Sequence, residues 1–571
     1  MRLLTTSLKT LCALALIAAS LPATAQVTET VAKHHMIAAA NPHAAQAGLD
    51  MMRAGGSAVD AAIATQLVLG LVEPESSGIG GGAFMLVYNP RTRQTTSFDG
   101  REMAPASATP GMFLDANGQP RAHFDPIPGG LSVGVPGVVR MLALAHGKYG
   151  KLPWAKLFEP AIQLAEKGFP VGPKMVRQIK AMASRAGDMP DIRSHFFHAD
   201  GTPLNEGEIY KNPEYAATLK KIAKDGPDAF YKGDIAQGIV DAVRHAPKNP
   251  GNMTLADLAG YQAKERKAVC GPYRTYKVCS MGPPSSGGIA VLQILGMLQR
   301  FPSDALTPNT LSGAHLFAEA SRLAYADRAK YLGDPAFVTV PVKGLTDKAY
   351  IASRAALIDP AHDMGTALPG NPPEKHAALS PQVSPVLHGT SHMTIVDDSG
   401  EVVAMTTSVE FIFGAEIFAK GFLLNNTLTD FSFQPVRDGL PVANAPAPGK
   451  LPLSAMSPTI VFDKKGNFLV SVGSPGGPAI IDYVAQILVG ILDAKMSPKD
   501  AIAMAHEINM NGPTLLEKSP NSDLLASQLT AMGHTVQVPQ VEGSGLHGIE
   551  KVKDGYIGAA DPRRDGIALG D

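Results

Sequence analysis

Thr390 opens a run of strand formers, Ser391 to Val396 (S-H-M-T-I-V), directly after Gly389. A second strand pattern, Glu401 to Ser408, follows D-D-S-G, a hairpin turn signal. If Asp397 to Gly400 closes that turn, Thr390 lies across from Thr407 or Ser408, and a hydroxyl at the first residue of one strand faces a hydroxyl on the other. Threonine is a weak nucleophile without a base. His388 and His392 flank Thr390, but on a strand they share its face only as immediate i±2 neighbours, and no carboxylate partner orients them. The remaining base is the α-amine of Thr390 itself, which exists only if the chain is cut between Gly389 and Thr390. Such an amine has an intrinsic pKa of about 7.7–8.0, suited to the N-terminal-threonine form of nucleophilic catalysis. The spacing alone does not separate this reading from an ordinary strand-edge threonine.

Three other groupings invite chemistry. His388-x-x-x-His392 has a zinc-like spacing, but a zinc pair at that spacing wants a helix and a third ligand. Gly78 to Gly82 tempts a dinucleotide reading. However, a phosphate-binding glycine loop follows a strand and opens a helix, and here a helical pattern precedes the run and a strand, Ala83 to Tyr88, follows it. Cys270 and Cys279 flank G-P-Y-R-T-Y-K-V, a turn between strand formers, and in an oxidising compartment they read as a disulfide on neighbouring strands. In a reducing compartment they would be two buried thiols.

The elements that must position these residues change character along the chain. His43 to Leu71 is helical in pattern, with Ser57 as a candidate N-cap and Asp60 as a first-turn acid. Leu152 to Lys348 is mostly helical and is interrupted by P-P-S-S-G-G at Pro283 to Gly288. Ala367 to Gly389 has no period and five prolines, the composition of a linker. Beyond it come further short strands, at Gly421 to Asn425, Thr459 to Phe462 and Phe468 to Val472, then a helix, Ala479 to Leu492. Neither part alone offers a two-layer core. The expectation is therefore one interleaved αββα domain.

The chain has 571 residues, 45% of them hydrophobic and 18% charged, with a formal net charge of −1. That balance implies neither a nucleic-acid footprint nor a polyanionic tail. Arg2 and Lys9, the apolar run Leu11 to Leu21 and the small-x-small triplet Ala23-Thr24-Ala25 read as an export signal, residues 1–25, with a mature start at Gln26. No later segment has the length of a transmembrane helix. The expected location is the periplasm, with release to the medium as the alternative.

The ordered motifs carry a resemblance. V-E-P-x-S-S-G-I-G-G-G near Glu73, D-G-R-E-M-A-P at Asp99 to Pro105, P-P-S-S-G-G, A-Y-A-D-R-A-K-Y-L-G-D-P near Asp327, the T-S-H-M-T-I-V-D junction, L-L-N-N-x-x-x-D-F-S at Leu423 to Ser432, P-L-S-A-M-S-P-T at Pro452 to Thr459 and G-S-P-G-G at Gly473 to Gly477 resemble the gamma-glutamyltranspeptidase (glutathione hydrolase) family of N-terminal nucleophile hydrolases. The likeness runs over nearly all of the mature chain. It implies a four-layer αββα sandwich built from two fragments of one precursor, a large subunit of residues 26–389 and a small subunit of residues 390–571, cut between Gly389 and Thr390. Thr390 would be both the self-cleaving residue and the acyl acceptor, supported by Ser408. Gly476 and Gly477 would present N–H groups to the oxyanion. Arg101 and Ser454 would hold the substrate α-carboxylate and Asp430 the α-ammonium. No metal or other cofactor is implied.

This sequence departs from the family pattern at three positions. Glu410 stands where many members have Asn, which adds a negative charge near the ammonium site. Thr427 stands where they have Gln or Glu. Ala455 replaces the second Ser of a Ser-Ser pair and removes one hydrogen bond to the carboxylate. The reading that results is a γ-glutamyl hydrolase/transferase acting on glutathione and related compounds, with water, an amino acid or a peptide as acceptor. A same-fold acylase of glutaryl or cephalosporin type is the neighbouring alternative, which Asp430 argues against. An uncut, non-catalytic exported protein is the alternative from another class.

Overall fold

Two seven-stranded antiparallel sheets form the centre of the computed structural model, which describes residues 29–186, 189–382, 389–539 and 543–571. The expected export signal, the linker residues 383–388 and, with them, His388 lie outside the described residues. The first sheet runs Ile567–Gly570, Met36–Ala39, Ser391–Val396, Val402–Ser408, Gly82–Asn89, Gln94–Gly100, Lys264–Lys267. The second runs Glu29–Ala32, Gly555–Ala560, His547–Val552, Phe468–Gly473, Thr459–Phe462, Tyr276–Ser280, Val269–Tyr273.

Side chains alternate across a strand, so each sheet has an inner and an outer apolar face. The inner faces meet through Met36, Leu86, Val396, Ala404, Ile460 and Phe462. The outer face of the first sheet packs Met85, Met393 and Val403 against the helices Pro42–Arg53 and Ala58–Val72. The outer face of the second packs Val461, Val470 and Val472 against Gly287–Leu298, Leu311–Tyr331 and Ile480–Leu492. The layers are thus helix, sheet, sheet, helix, as expected. No helix among the described residues is long and apolar enough to cross a membrane.

Strands from either side of the 389/390 junction are mixed within both sheets. Ser391–Val396 sits between Met36–Ala39 and Val402–Ser408, and the latter pairs onward with Gly82–Asn89. These pairings begin at Ser391, so a cut before Thr390 leaves every one in place.

Local readings differ at three places. The helical stretch His43 to Leu71 is two helices, parted at Gly55 and Gly56; Ser57 and Asp60 close a reciprocal capping box at the start of the second. A further strand, Lys264–Lys267, interrupts the mostly helical region beside the two expected around Cys270 and Cys279, Val269–Tyr273 and Tyr276–Ser280. Gly421 to Asn425 contributes only Phe422–Leu423, half of a two-residue hairpin with Phe418–Ala419. Cys270 and Cys279 are direct cross-strand partners and are disulfide-bonded.

Candidate active site

The hairpin closes at Asp397–Gly400 and pairs Ser391 with Thr407, which places Thr390 opposite Ser408. Their hydroxyls lie 2.9 Å apart. Thr390 is buried, and its N–H donates to the Ser76 carbonyl at 3.0 Å, while its own carbonyl accepts from Arg564 Nη1 at 2.9 Å. Ser408 Oγ also accepts from the Glu410 N–H at 2.8 Å. Thr390 adopts φ +92° and Glu410 φ +83°. A left-handed φ on a β-branched residue costs on the order of 1–3 kcal/mol. The strain sits on the bond whose peptide partner is Gly389. A Cβ at Gly389 would lie 2.0 Å from the Glu410 carbonyl oxygen, so only glycine fits the junction.

The cleft in front of Thr390 is lined by Arg101, Ser408, Glu410, Asp430, Ser454, Ala455 and Gly477, together with Arg328, Met456 and Pro478. Eight of the residues singled out from sequence therefore share one cavity: Thr390, Ser408, Arg101, Glu410, Asp430, Ser454, Ala455 and Gly477. Gly476 adjoins it, with φ +130°, before the single turn that begins at Gly477, φ +57°. Both angles favour glycine.

Arg101 is 2% exposed. Its Nε and Nη2 donate to the carbonyls of Pro452 (3.1 Å) and Leu453 (3.2 Å), and it pairs with Glu102 (3.3 Å) and with Asp430. Burial works against its charge, but Glu102 and Asp430 outweigh burial and hold the guanidinium above its ordinary value. A surface ion pair is thereby excluded. Asp430 keeps a quarter of its side chain exposed and faces the cleft.

Thr427 is not on the cleft wall. It is buried and donates from Oγ1 to Glu102 Oε1 at 2.7 Å, so it fixes the carboxylate behind Arg101. Glu410 does reach the cleft and accepts from Asn426 Nδ2. Burial, and then the nearby Asp430, push its carboxyl well above the usual range. Ser454 is positioned by P-P-S-S-G-G: its N–H donates to Pro284, its carbonyl accepts from the Ser286 N–H and hydroxyl, and Ser285 Oγ donates to Met456.

The flanking histidine His392 is buried against Thr406 and His547, and burial holds it well below its ordinary value. It does not line the cleft. The glycine run serves packing: a Cβ at Gly81 would lie 2.0 Å from the Ser408 carbonyl. The sequence reading missed Glu102 and Arg328, although both stand inside quoted motifs, and also Arg564. Only the motif D-G-R-E-M-A-P signals the first.

Among the described residues one group has a metal-binding donor set: His315 and Glu319, one helical turn apart, and His534, with ligand atoms within 4.8 Å of one another. Its bonding is already closed. His315 Nε2 must donate to the Asp359 carbonyl (2.7 Å), so Nδ1 accepts from His534 Nε2 (2.7 Å), and Glu319 pairs with Arg322. A cation would have to break that bond and sit beside a guanidinium.

Residues 44–571 match the family model described as gamma-glutamyltranspeptidase. The chain is 39% identical over 547 residues to the glutathione hydrolase proenzyme of Escherichia coli (strain K12), covering 93% of this chain and 91% of that one. Among solved structures, the cephalosporin acylase from Bacillus halodurans superposes with a TM-score of 0.85 at 27% identity, over 98% of this chain and 99% of that one. The gamma-glutamyltranspeptidase of Helicobacter pylori gives a TM-score of 0.54 at 36% identity, over 56% of this chain and 90% of that one. With a serine-backed threonine at a glycine junction, and an arginine–aspartate pair at the other end of the cleft, this enzyme belongs to the gamma-glutamyltranspeptidase family.

Proposed function

We propose that the protein is a self-processing γ-glutamyl hydrolase and transferase with Thr390 as nucleophile. The observation that carries the reading is the single cavity holding the Thr390–Ser408 hydroxyl pair and the Arg101–Asp430 ion pair. An α-amino acid head group carries the same two charges. It replaces the resting pair by placing its carboxylate on Arg101 and Ser454 and its ammonium on Asp430, so neither charge loses a partner.

Processing comes first. Thr390 Oγ attacks the Gly389 carbonyl, the C–N bond breaks, and the departing nitrogen keeps its own hydrogen and gains the hydroxyl proton to become the new α-amine. Water then hydrolyses the Gly389 ester. The strained φ of Thr390 favours this step, because the torsion is no longer imposed by a peptide once the bond is cut. The expected products are residues 26–389 and 390–571. The name proenzyme on the Escherichia coli relative supports the same course.

In turnover the amine takes the Thr390 hydroxyl proton, Oγ attacks the γ-carbonyl, and Gly476 and Gly477 N–H groups receive the oxyanion. The amine of the leaving group departs with that proton. Water, an amino acid or a peptide then takes the γ-glutamyl group from the ester. Glutathione is the expected donor, in line with the relative's name. Export to the periplasm is the expected setting, supported by the composition of residues 1–25 and the Cys270–Cys279 disulfide.

The likeness to a cephalosporin acylase, with Ala455 where a second serine is usual, favours a glutaryl donor as the second reading. Hydrolysis of a γ-glutamyl anilide against its glutaryl counterpart decides between them. Preference for the glutaryl compound would overturn the ammonium role of Asp430. A denaturing gel that shows only the full-length chain after prolonged incubation would overturn self-processing.

A further inference from the structure

Behind the nucleophile lies a buried ionic cluster that substrate does not reach. Lys174, 5% exposed, stands in the first turn of the helix Pro173–Ala186. Its ammonium lies 2.9 Å from Glu73 Oε1, 3.0 Å from Glu75 Oε1 and 2.9 Å from Ser76 Oγ. The other Glu73 oxygen accepts from Ser391 Oγ at 2.9 Å, and Ser77 Oγ lies 3.2 Å from that same hydroxyl. Burial raises the Glu75 carboxyl; Lys174 works against that and Glu73 with it. One ammonium thus faces two carboxyls, and removing it would leave both without a cation in a water-excluded place.

What this cluster holds is the short turn Glu73–Ser77. The Ser76 carbonyl in that turn accepts two N–H groups, from Thr390 at 3.0 Å and from Val409 at 3.1 Å. Val409 is the residue after Ser408. One oxygen atom therefore sets the spacing of the two strand ends that carry the catalytic hydroxyls. Successive strand side chains point to opposite faces. Thr390 faces the cleft while Ser391 reaches back to Glu73, so the first two residues of the small fragment are held on both sides.

We infer that Lys174, Glu73 and Ser391 are positioning residues for the reaction at Thr390: they fix the Ser76 carbonyl that receives the Thr390 nitrogen as an amide before the cut and as the basic amine after it. The base is then in place as soon as the peptide bond breaks, with no rearrangement of the strand. This inference rests on Thr390 being the nucleophile, as proposed above.

The test compares Lys174→Met, Lys174→Arg, Ser391→Ala and Ser391→Thr in the full chain, with Thr390→Ala as control. Three quantities are read: the first-order rate of fragment formation, and kcat and KM for a γ-glutamyl anilide. A misplacement of about 1 Å at a reacting group costs on the order of 10²-fold. Ser391→Ala and Lys174→Met should lower processing and kcat by about 10- to 100-fold and leave KM within about twofold, because the acyl-binding residues are untouched. Ser391→Thr, which keeps the hydroxyl, should recover most of the rate, and Lys174→Arg part of it. Wild-type processing and kcat in Ser391→Ala would overturn the inference, and that variant decides alone if Lys174→Met does not fold. Equal loss in Ser391→Ala and Ser391→Thr would also overturn it. Full turnover by Thr390→Ala would instead overturn the assignment of the nucleophile.

Discussion

Thr390 and Ser408 face each other at the open ends of adjacent antiparallel strands, hydroxyl to hydroxyl at 2.9 Å. Ser408 Oγ accepts from the Glu410 N–H, so its own proton remains available for Thr390. As negative charge develops on the attacking oxygen, that donation strengthens. Ser408→Ala should lower kcat by roughly 10- to 100-fold, the worth of a hydrogen bond to a charged oxygen at about 1.5–3 kcal/mol. Ser408→Thr should keep most of the activity. Thr390→Ala should give an uncut, inactive chain. Gel analysis with N-terminal sequencing and steady-state assay of the three variants checks this; Ser408→Ala at wild-type kcat would remove Ser408 from the mechanism.

This pair was largely legible in the sequence, because both determinants are local: the period of a strand and the turn at Asp397–Gly400 fix which residues oppose each other. The remaining choice between Thr407 and Ser408 needed the observed register. The cysteine pair was legible for the same reason. The other end of the cleft was not. Arg101 meets Asp430 across 329 positions, Thr427 meets Glu102 across 325, and Arg564 reaches the Thr390 carbonyl across 174. No periodicity links residues so far apart, and family motifs named Arg101 and Asp430 without saying that they pair. Thr427 stands in the same motif as Asp430, yet its short side chain ends at Glu102. Burial and Asp430 together raise the Glu410 carboxyl, and neither is visible locally.

Asp430→Asn should discriminate between substrates. The change keeps the shape but removes the charge proposed to receive an α-ammonium, and it deprives Arg101 of one of its two anionic partners. With γ-glutamyl anilide, kcat/KM should fall by roughly 10- to 100-fold, the worth of a charge-assisted contact at about 1.5–3 kcal/mol. A glutaryl anilide has no ammonium and should lose much less, so the ratio of the two substrates is the measured quantity. An unchanged ratio would place the ammonium elsewhere.

Ala455→Ser restores a hydroxyl to the wall beside Ser454. Both residues line the cleft, and Arg101 approaches the same segment through the Pro452 and Leu453 carbonyls. A second hydroxyl on the substrate carboxylate should lower KM for γ-glutamyl anilide by roughly 2- to 10-fold, a gain of about 0.5–1.5 kcal/mol. Titration of initial rates against donor concentration reads it directly. A raised KM would mean that the added oxygen is crowded rather than used.

Stability should respond to pH through Asp482, which is fully buried in the helix Ile480–Leu492 and accepts from Ser321 Oγ and from the Asn509 N–H. Burial pushes its carboxyl up to about 7 from 3.8, against the two hydrogen bonds. In the unfolded chain the group ionises near its ordinary value, whereas in the fold it holds its proton until about pH 7. The unfolded state therefore binds fewer protons between roughly pH 4 and 7, and stability falls as pH rises through that window, by at most about 1.4 kcal/mol per unit. Asp482→Asn keeps one oxygen for Asn509 and offers an NH2 to Ser321, and it abolishes this titration. The variant should match the parent near pH 4 and exceed it in Tm increasingly up to pH 7.5, as read by thermal unfolding at several pH values. A Tm difference that stays constant with pH would show that Asp482 is ionised in the fold.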